Sequence, residues 1–212
     1  MATYESVIKI TGAVGDLVFY NLNGKNVVRK KSGFNKTAFK KNPSYEKVRQ
    51  NSSEFGHCSK VGKIIRSSLN IYIKKAGDPL LYQKFAKLMT EIKDLDTVSE
   101  RGKRTVENGL QTENGKKLLR QFQFGTIKNV AANVQIKNQV LLISKNHEPN
   151  KAVILTIKPD FKNLMTESAE EEILLNTDKE LSFKEYFGKD DLLLYFVAVK
   201  NENNEILQMG FV

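Results

Sequence analysis

The chain has 212 residues, with 34 Lys+Arg against 24 Asp+Glu, a net charge of +10, and 40% hydrophobic residues. That length and apolar content suit one large domain or two small ones, with a core that needs no metal or disulfide staple. The single cysteine, Cys58, excludes an intrachain disulfide, and no run approaches the roughly 18 apolar residues of a membrane span. The first twenty residues lack a basic segment followed by an apolar one, so no signal peptide and a cytoplasmic location are expected. The charge is uneven: residues 1–125 carry 24 Lys+Arg against 11 Asp+Glu, whereas residues 126–212 carry 10 against 13.

In chain order, Val7–Ile10 reads as a short β-like segment, punctuated by Gly12 and Gly15. Leu17–Tyr20 and Lys25–Arg29 flank Asn23-Gly24, the strongest short hairpin signal, which predicts a hairpin over 16–30. Lys30 to Asn42 is a basic connector, expected to be extended or irregular and pinned by Phe34 and Phe39. Pro43 and Glu46 favour a helix start. Tyr45, Val48, Phe55, Val61, Ile65, Leu69 and Tyr72, with Ser52 and Cys58, form an apolar stripe that predicts one long helix over 44–74. Asp78-Pro79 reads as the N-cap and first position of a second helix with the face Leu81, Tyr82, Phe85, Leu88, Met89 and Ile92. Residues 97–111, with Gly102 and Gly109, read as a structured loop with helical turns, and Thr112 caps a short helix over 113–121.

After Gly125 the period falls to two. Candidate strands are 126–136, 139–145, 151–158, 172–175, 191–200 and 204–211, with turns at Lys137-Asn138, His147–Asn150 and Asn201–Asn204. Leu192–Val199 is almost wholly apolar, as in a central strand, and 182–187 reads as a turn or short helix. The pattern predicts an α+β chain: a basic β-hairpin and helical module over 1–125, then an immunoglobulin-like antiparallel β-sandwich over 126–212.

The pattern Gly12-x-x-Gly15-x-x-Val18-Phe19-Tyr20, followed by Asn23-Gly24-Lys25, Val28-Arg29, Asn42-Pro43 and Arg49, resembles a set of uncharacterised proteins of Bacteroidota and their mobile elements. In those, a glycine-rich hairpin ending in Arg precedes an Asn-Pro helix start, and a β-sandwich closes the chain. The resemblance implies the same architecture and a bacterial or phage-like origin. It brings no activity.

Few residues suggest chemistry. His57 and Cys58 are adjacent, but neighbouring helical residues point about 100° apart and do not face each other. The alternative is a polar-face histidine beside a small buried cysteine. Cys58, His57 and His147 match no zinc spacing, and no metal or cofactor is expected. Gly56–Lys63 has five intervening residues where a phosphate loop needs four, and Ile64 stands where Ser or Thr would hold Mg²⁺. Gly12–Gly15 has the G-x-x-G form of a KH loop but lies between β-like segments, so the glycines read as turn residues. Glu170-Glu171-Glu172 and Asp190-Asp191 read as solvated turns. No catalytic residues are assigned, and no enzyme is expected.

The positive signal is basic. Lys25, Arg29, Lys30, Lys31, Lys36, Lys40, Lys41 and Arg49 are the candidate contacts for nucleic acid or another polyanion, interleaved with Phe34, Phe39 and Tyr45. A non-enzymatic binding or scaffold protein is expected on this reading. The same stretch could instead dock on an acidic protein surface or on a neighbouring copy, giving a homo-oligomeric assembly protein of phage-like or mobile-element type.

Overall fold

A computed structural model describes residues 2–6, 8–31, 33, 35–143, 151–175, 181–188 and 190–212. The chain forms two compact units, Met1–Glu46 and Lys47–Val212. The boundary expected at residue 125 falls inside the second unit.

The first unit is a four-stranded antiparallel sheet of β1 (Ala2–Thr3), β2 (Gly12–Val14), β3 (Leu17–Leu22) and β4 (Lys25–Lys30), in the order β1-β4-β3-β2. The predicted hairpin is β3–β4. Asn23 (φ 50°) and Gly24 (φ 81°) both take the left-handed conformation that matches the twist of the strands. The Asn21 side chain accepts from the Gly24 N–H at 3.0 Å, closing the turn. The expected segment at Val7–Ile10 is not a strand over its described residues, 8–10, and Val7 lies outside them; the chain leaves the sheet after β1 and rejoins it at Gly12. The basic connector contains a helix that the sequence reading did not foresee, α1 (Lys36–Lys41). Asn35 caps its start by accepting from the Ala38 N–H, and Asn42 ends it just before Pro43. Phe39 packs on Tyr45 at 5.8 Å, while Phe34 lies outside the described residues. Among the described residues of this unit only Val27 is buried.

The second unit starts with α2 (Glu46–Ser68) and α3 (Asn70–Ala76), where one helix was expected. The Ser67 hydroxyl donates to the Ile64 carbonyl at 2.6 Å, a local bond that competes with the helix ladder, and the chain re-enters helix after Leu69. Gly77, at φ 63°, closes α3. There follow α4 (Leu81–Lys93), α5 (Val106–Gln111) and α6 (Glu113–Arg120). Thr105 and Thr112 cap α5 and α6, the latter as the sequence predicts. Asp78 bonds the Leu80 N–H and Lys84 rather than capping α4 directly.

The strands are β5 (Val134–Lys137), β6 (Val140–Ile143), β7 (Lys151–Asp160), β8 (Met165–Leu174), β9 (Leu194–Lys200) and β10 (Ile206–Phe211). β5 and β6 form a two-stranded sheet. The others form a four-stranded antiparallel sheet in the order β10-β9-β7-β8, so the apolar run in β9 is central as expected. Residues 182–187 hold no helix, and the predicted turn at His147–Asn150 lies outside the described residues.

Register decides what each face of the four-stranded sheet buries. Val153, Leu155 and Ile157 oppose Ala198, Phe196 and Leu194 and pack with Met209 and Phe211 against the helices. Ala152, Ile154, Val197 and Val199 pack on the other face with Val134 of β5, Leu141 of β6, Val130 and Phe183. Phe85, Phe122, Phe124, Phe196 and Phe211 form a chain of ring contacts, with centroids 5.0–5.7 Å apart, that ties α4 to the sheet. Full burial of each such ring contributes about 1.5–3 kcal/mol. The architecture is therefore mixed helix and sheet, with a C-terminal antiparallel sheet covered by helices on one face and by β5 and β6 on the other. The helices and this sheet share one core, so residue 125 does not divide two separate ones.

One expectation is overturned here. Glu170-Glu171-Glu172 is not a turn but part of β8, an edge strand paired only with β7. An edge strand can carry charge because its outer side is wet. Each carboxylate also has a partner: Glu170 accepts from the Tyr72 hydroxyl, Glu171 from the Tyr186 hydroxyl and the Lys184 N–H, and Glu172 pairs with Lys151 and Lys200.

Candidate functional site

The eight predicted contact residues are split between the units. Lys25, Arg29, Lys30, Lys31, Lys36, Lys40 and Lys41 belong to the first, and Arg49, on α2, to the second. Within the first unit, strand alternation divides them again. Lys25 and Arg29 lie opposite Leu22 and Val18 on one face of the sheet, whereas Lys30 lies opposite Leu17 on the other. The Lys31 N–H donates to the Asp16 carbonyl, which fixes the chain as it leaves β4. Lys36 and Lys40 are four residues apart on α1 and share a face, and Lys40 and Lys41 occupy its last turn, where the helix dipole favours cations.

Among the described residues, Lys25, Lys30, Lys31, Lys36, Lys40 and Lys41 make no ion pair and are exposed, and Arg29 donates only to the Lys30 carbonyl, at 3.5 Å. The unit holds eight Lys/Arg against three Asp/Glu (Glu5, Asp16 and Glu46), so it carries half the net charge of the chain in 46 residues. Potentials from a solvated set of this kind attract polyanions over about a Debye length, near 8–10 Å at physiological salt.

A second charged group, absent from the sequence reading, lies within the helices. Glu54 of α2, only 2% exposed, accepts from Lys93 of α4 (2.8 Å) and from Nε and Nη2 of Arg104 (2.9 and 2.8 Å). It also accepts from the Gly102 N–H. Asp94 pairs with both Lys93 and Arg104. The Arg104 fork, with Lys93 and Gly102, outweighs burial and holds the Glu54 carboxyl well below the usual carboxylate range. Burial opposes the Lys93 ammonium, yet its two carboxylate partners raise its pKa. Asp96 caps the loop that follows, accepting from the N–H groups of Val98, Ser99 and Thr105 and from the Asn108 side chain. Burial works against its charge as well, but these bonds keep the carboxyl well below its ordinary range. The group ties the 94–105 loop to α2 and α4. It has the saturated partners of a structural cluster.

His57 and Cys58 do not face each other. The Val106 N–H donates to His57 Nε2 at 3.1 Å, so in the neutral ring the proton sits on Nδ1. Burial, with Lys60, pushes the imidazole pKa down. The buried Cys58 thiol lies 3.6 Å from the Met89 carbonyl, and burial pushes its pKa up, away from thiolate. Among the described residues no cluster of His, Cys, Asp and Glu could hold a metal, and no helix is long and apolar enough to cross a membrane. No protein-family model, curated protein or solved structure matches the chain.

Proposed function

We propose that this is a non-enzymatic binding or scaffold protein whose first unit contacts nucleic acid or another polyanion. The observation that carries the reading is the set of exposed lysines without ion pairs on β4 and α1. The contacts in that unit are Lys25, Arg29, Lys30, Lys31, Lys36, Lys40 and Lys41. Because they lie on two sheet faces and a short helix, they suit phosphate neutralisation without base-specific readout. In the second unit the two-stranded sheet facing the four-stranded one supports a reduced form of the immunoglobulin-like sandwich, serving as scaffold.

One observation favours a second reading, homo-oligomeric assembly of a phage-like or mobile-element protein. The first sheet is a single layer with one buried residue, and Val14 and Leu17, cross-strand partners on one of its faces, are exposed. A sheet normally needs a covered apolar face for stability, and a neighbouring copy would supply one.

The test is size-exclusion chromatography with light scattering at low and high salt, with and without nonspecific DNA and RNA. The first reading requires a complex that dissociates with salt and is lost in the K30E/K31E/K40E/K41E variant. A salt-resistant oligomer that ignores nucleic acid would overturn it in favour of assembly.

A further inference from the structure

A cleft of about 510 Å³ opens in the second unit between α6, β5 and the chain entering β9. Its volume lies within the range of small-molecule pockets, about 300–1,000 Å³. Its walls are mostly hydrocarbon. Leu119, Val134, Leu194 and Phe211 are buried at its base, and Ile136 and Leu192 are half-buried along its sides.

The charged side chains around it, beside the neutral Gln135 and Tyr195, have one sign. Lys116 and Arg120, one turn apart on α6, and Lys137, at the end of β5, line the cleft, and no Asp or Glu does. Lys116 is engaged by Glu113 at 2.9 Å. Arg120 and Lys137 are exposed and, among the described residues, make no ion pair. Arg120 ends its helix, where its charge also complements the dipole. Apolar walls with cations at the edge are complementary to a molecule with a hydrocarbon body and one negative head. A neutral apolar molecule would leave the cations unused, and a cationic one would be repelled.

We propose that this cleft binds a small amphipathic anion, a carboxylate with an apolar tail, with the tail between Leu119, Ile136 and Leu192 and the head at Arg120 and Lys137. The inference is independent of polyanion binding by the first unit.

The test is isothermal titration calorimetry of the full chain with dodecanoate, below its micelle concentration, beside dodecanol and dodecyltrimethylammonium. Dodecanoate is expected to bind one to one, about tenfold or more tighter than the other two, the size of a charged hydrogen-bond contact. The R120E/K137E variant, altered only at exposed positions, should lose that preference, and A131F, which fills the cleft, should lose binding. The K30E/K31E/K40E/K41E variant should bind dodecanoate as the parent does. Absence of saturable binding, equal affinity for the three probes, or loss only in the K30E/K31E/K40E/K41E variant would overturn the proposal.

Discussion

Substituting Glu54 is the sharpest perturbation of the second unit. In E54A, Lys93, whose side chain is 5% exposed, and Arg104, 24% exposed, lose the buried one of their two shared carboxylates and keep only the half-exposed Asp94, and the Gly102 N–H loses its acceptor. Breaking a buried pair by removing one partner costs about 3–5 kcal/mol, because the remaining charge stays out of water. At about 2–4 °C per kcal/mol for a chain of this size, the melting temperature should fall by roughly 10 °C. Urea unfolding followed by circular dichroism measures the free energy directly. Replacing Glu54 and both cations by apolar residues, as E54L/K93M/R104M, should recover much of the loss, since the one charge left without its partners, Asp94, is half exposed to water. Acidification supplies an independent check. The Glu54 pKa is depressed in the folded state, so its stabilisation is complete above the unfolded-state value, about 4.3, and is lost as pH falls below that toward the folded value. Asp96 acts in the same direction. E54Q should therefore flatten the acid limb of the stability curve. An E54A protein within about 1 kcal/mol of the parent, with an unchanged acid limb, would refute the reasoning.

The other expectations concern separate parts of the chain. Changing Lys30, Lys31 or Lys40 singly to Ala should each reduce the slope of log affinity against log salt by about 0.7–0.9, if each neutralises one phosphate, as measured by anisotropy on labelled single- and double-stranded DNA. An unchanged slope would remove that lysine from the interface. A Cβ on Gly109 would lie 2.0 Å from the Ile92 carbonyl oxygen, so G109A should destabilise the protein by about 1–3 kcal/mol in chemical denaturation. A neutral substitution would mean that α4 and α5 can part without cost. Cys58 should react with a thiol reagent only as fast as the chain opens, because it is buried and held as thiol. Labelling at the rate of a free thiol would contradict the burial of α2.

The sequence by itself determined what depends on local geometry and on counting. Asn23-Gly24 specified the β3–β4 hairpin because few other pairs tolerate two successive left-handed residues. The stripe from Cys58 through Tyr72, and nearly all of the face of α4, were legible because helical periodicity directly reflects burial. The basic stretch was legible as composition. Tertiary structure decided where those features meet. The stripe failed at its start: Tyr45, Val48 and Phe55 are exposed, and the buried residue there is Glu54, whose partners Lys93 and Arg104 lie 39 and 50 residues away. Tyr82, read as core, is half exposed and carries the Arg66 guanidinium over its ring at 5.0 Å. The acidic run of β8 looked like a solvated turn because its partners, Tyr72 for Glu170, Tyr186 for Glu171, and Lys151 and Lys200 for Glu172, lie on distant segments that no local window contains. The division of the basic residues between two sheet faces, α1 and α2 follows from strand register and chain packing, whereas a charge count has no direction. Local pattern fixes which conformation a segment prefers. Only long-range pairing decides whether a charge is buried with a partner or left in water.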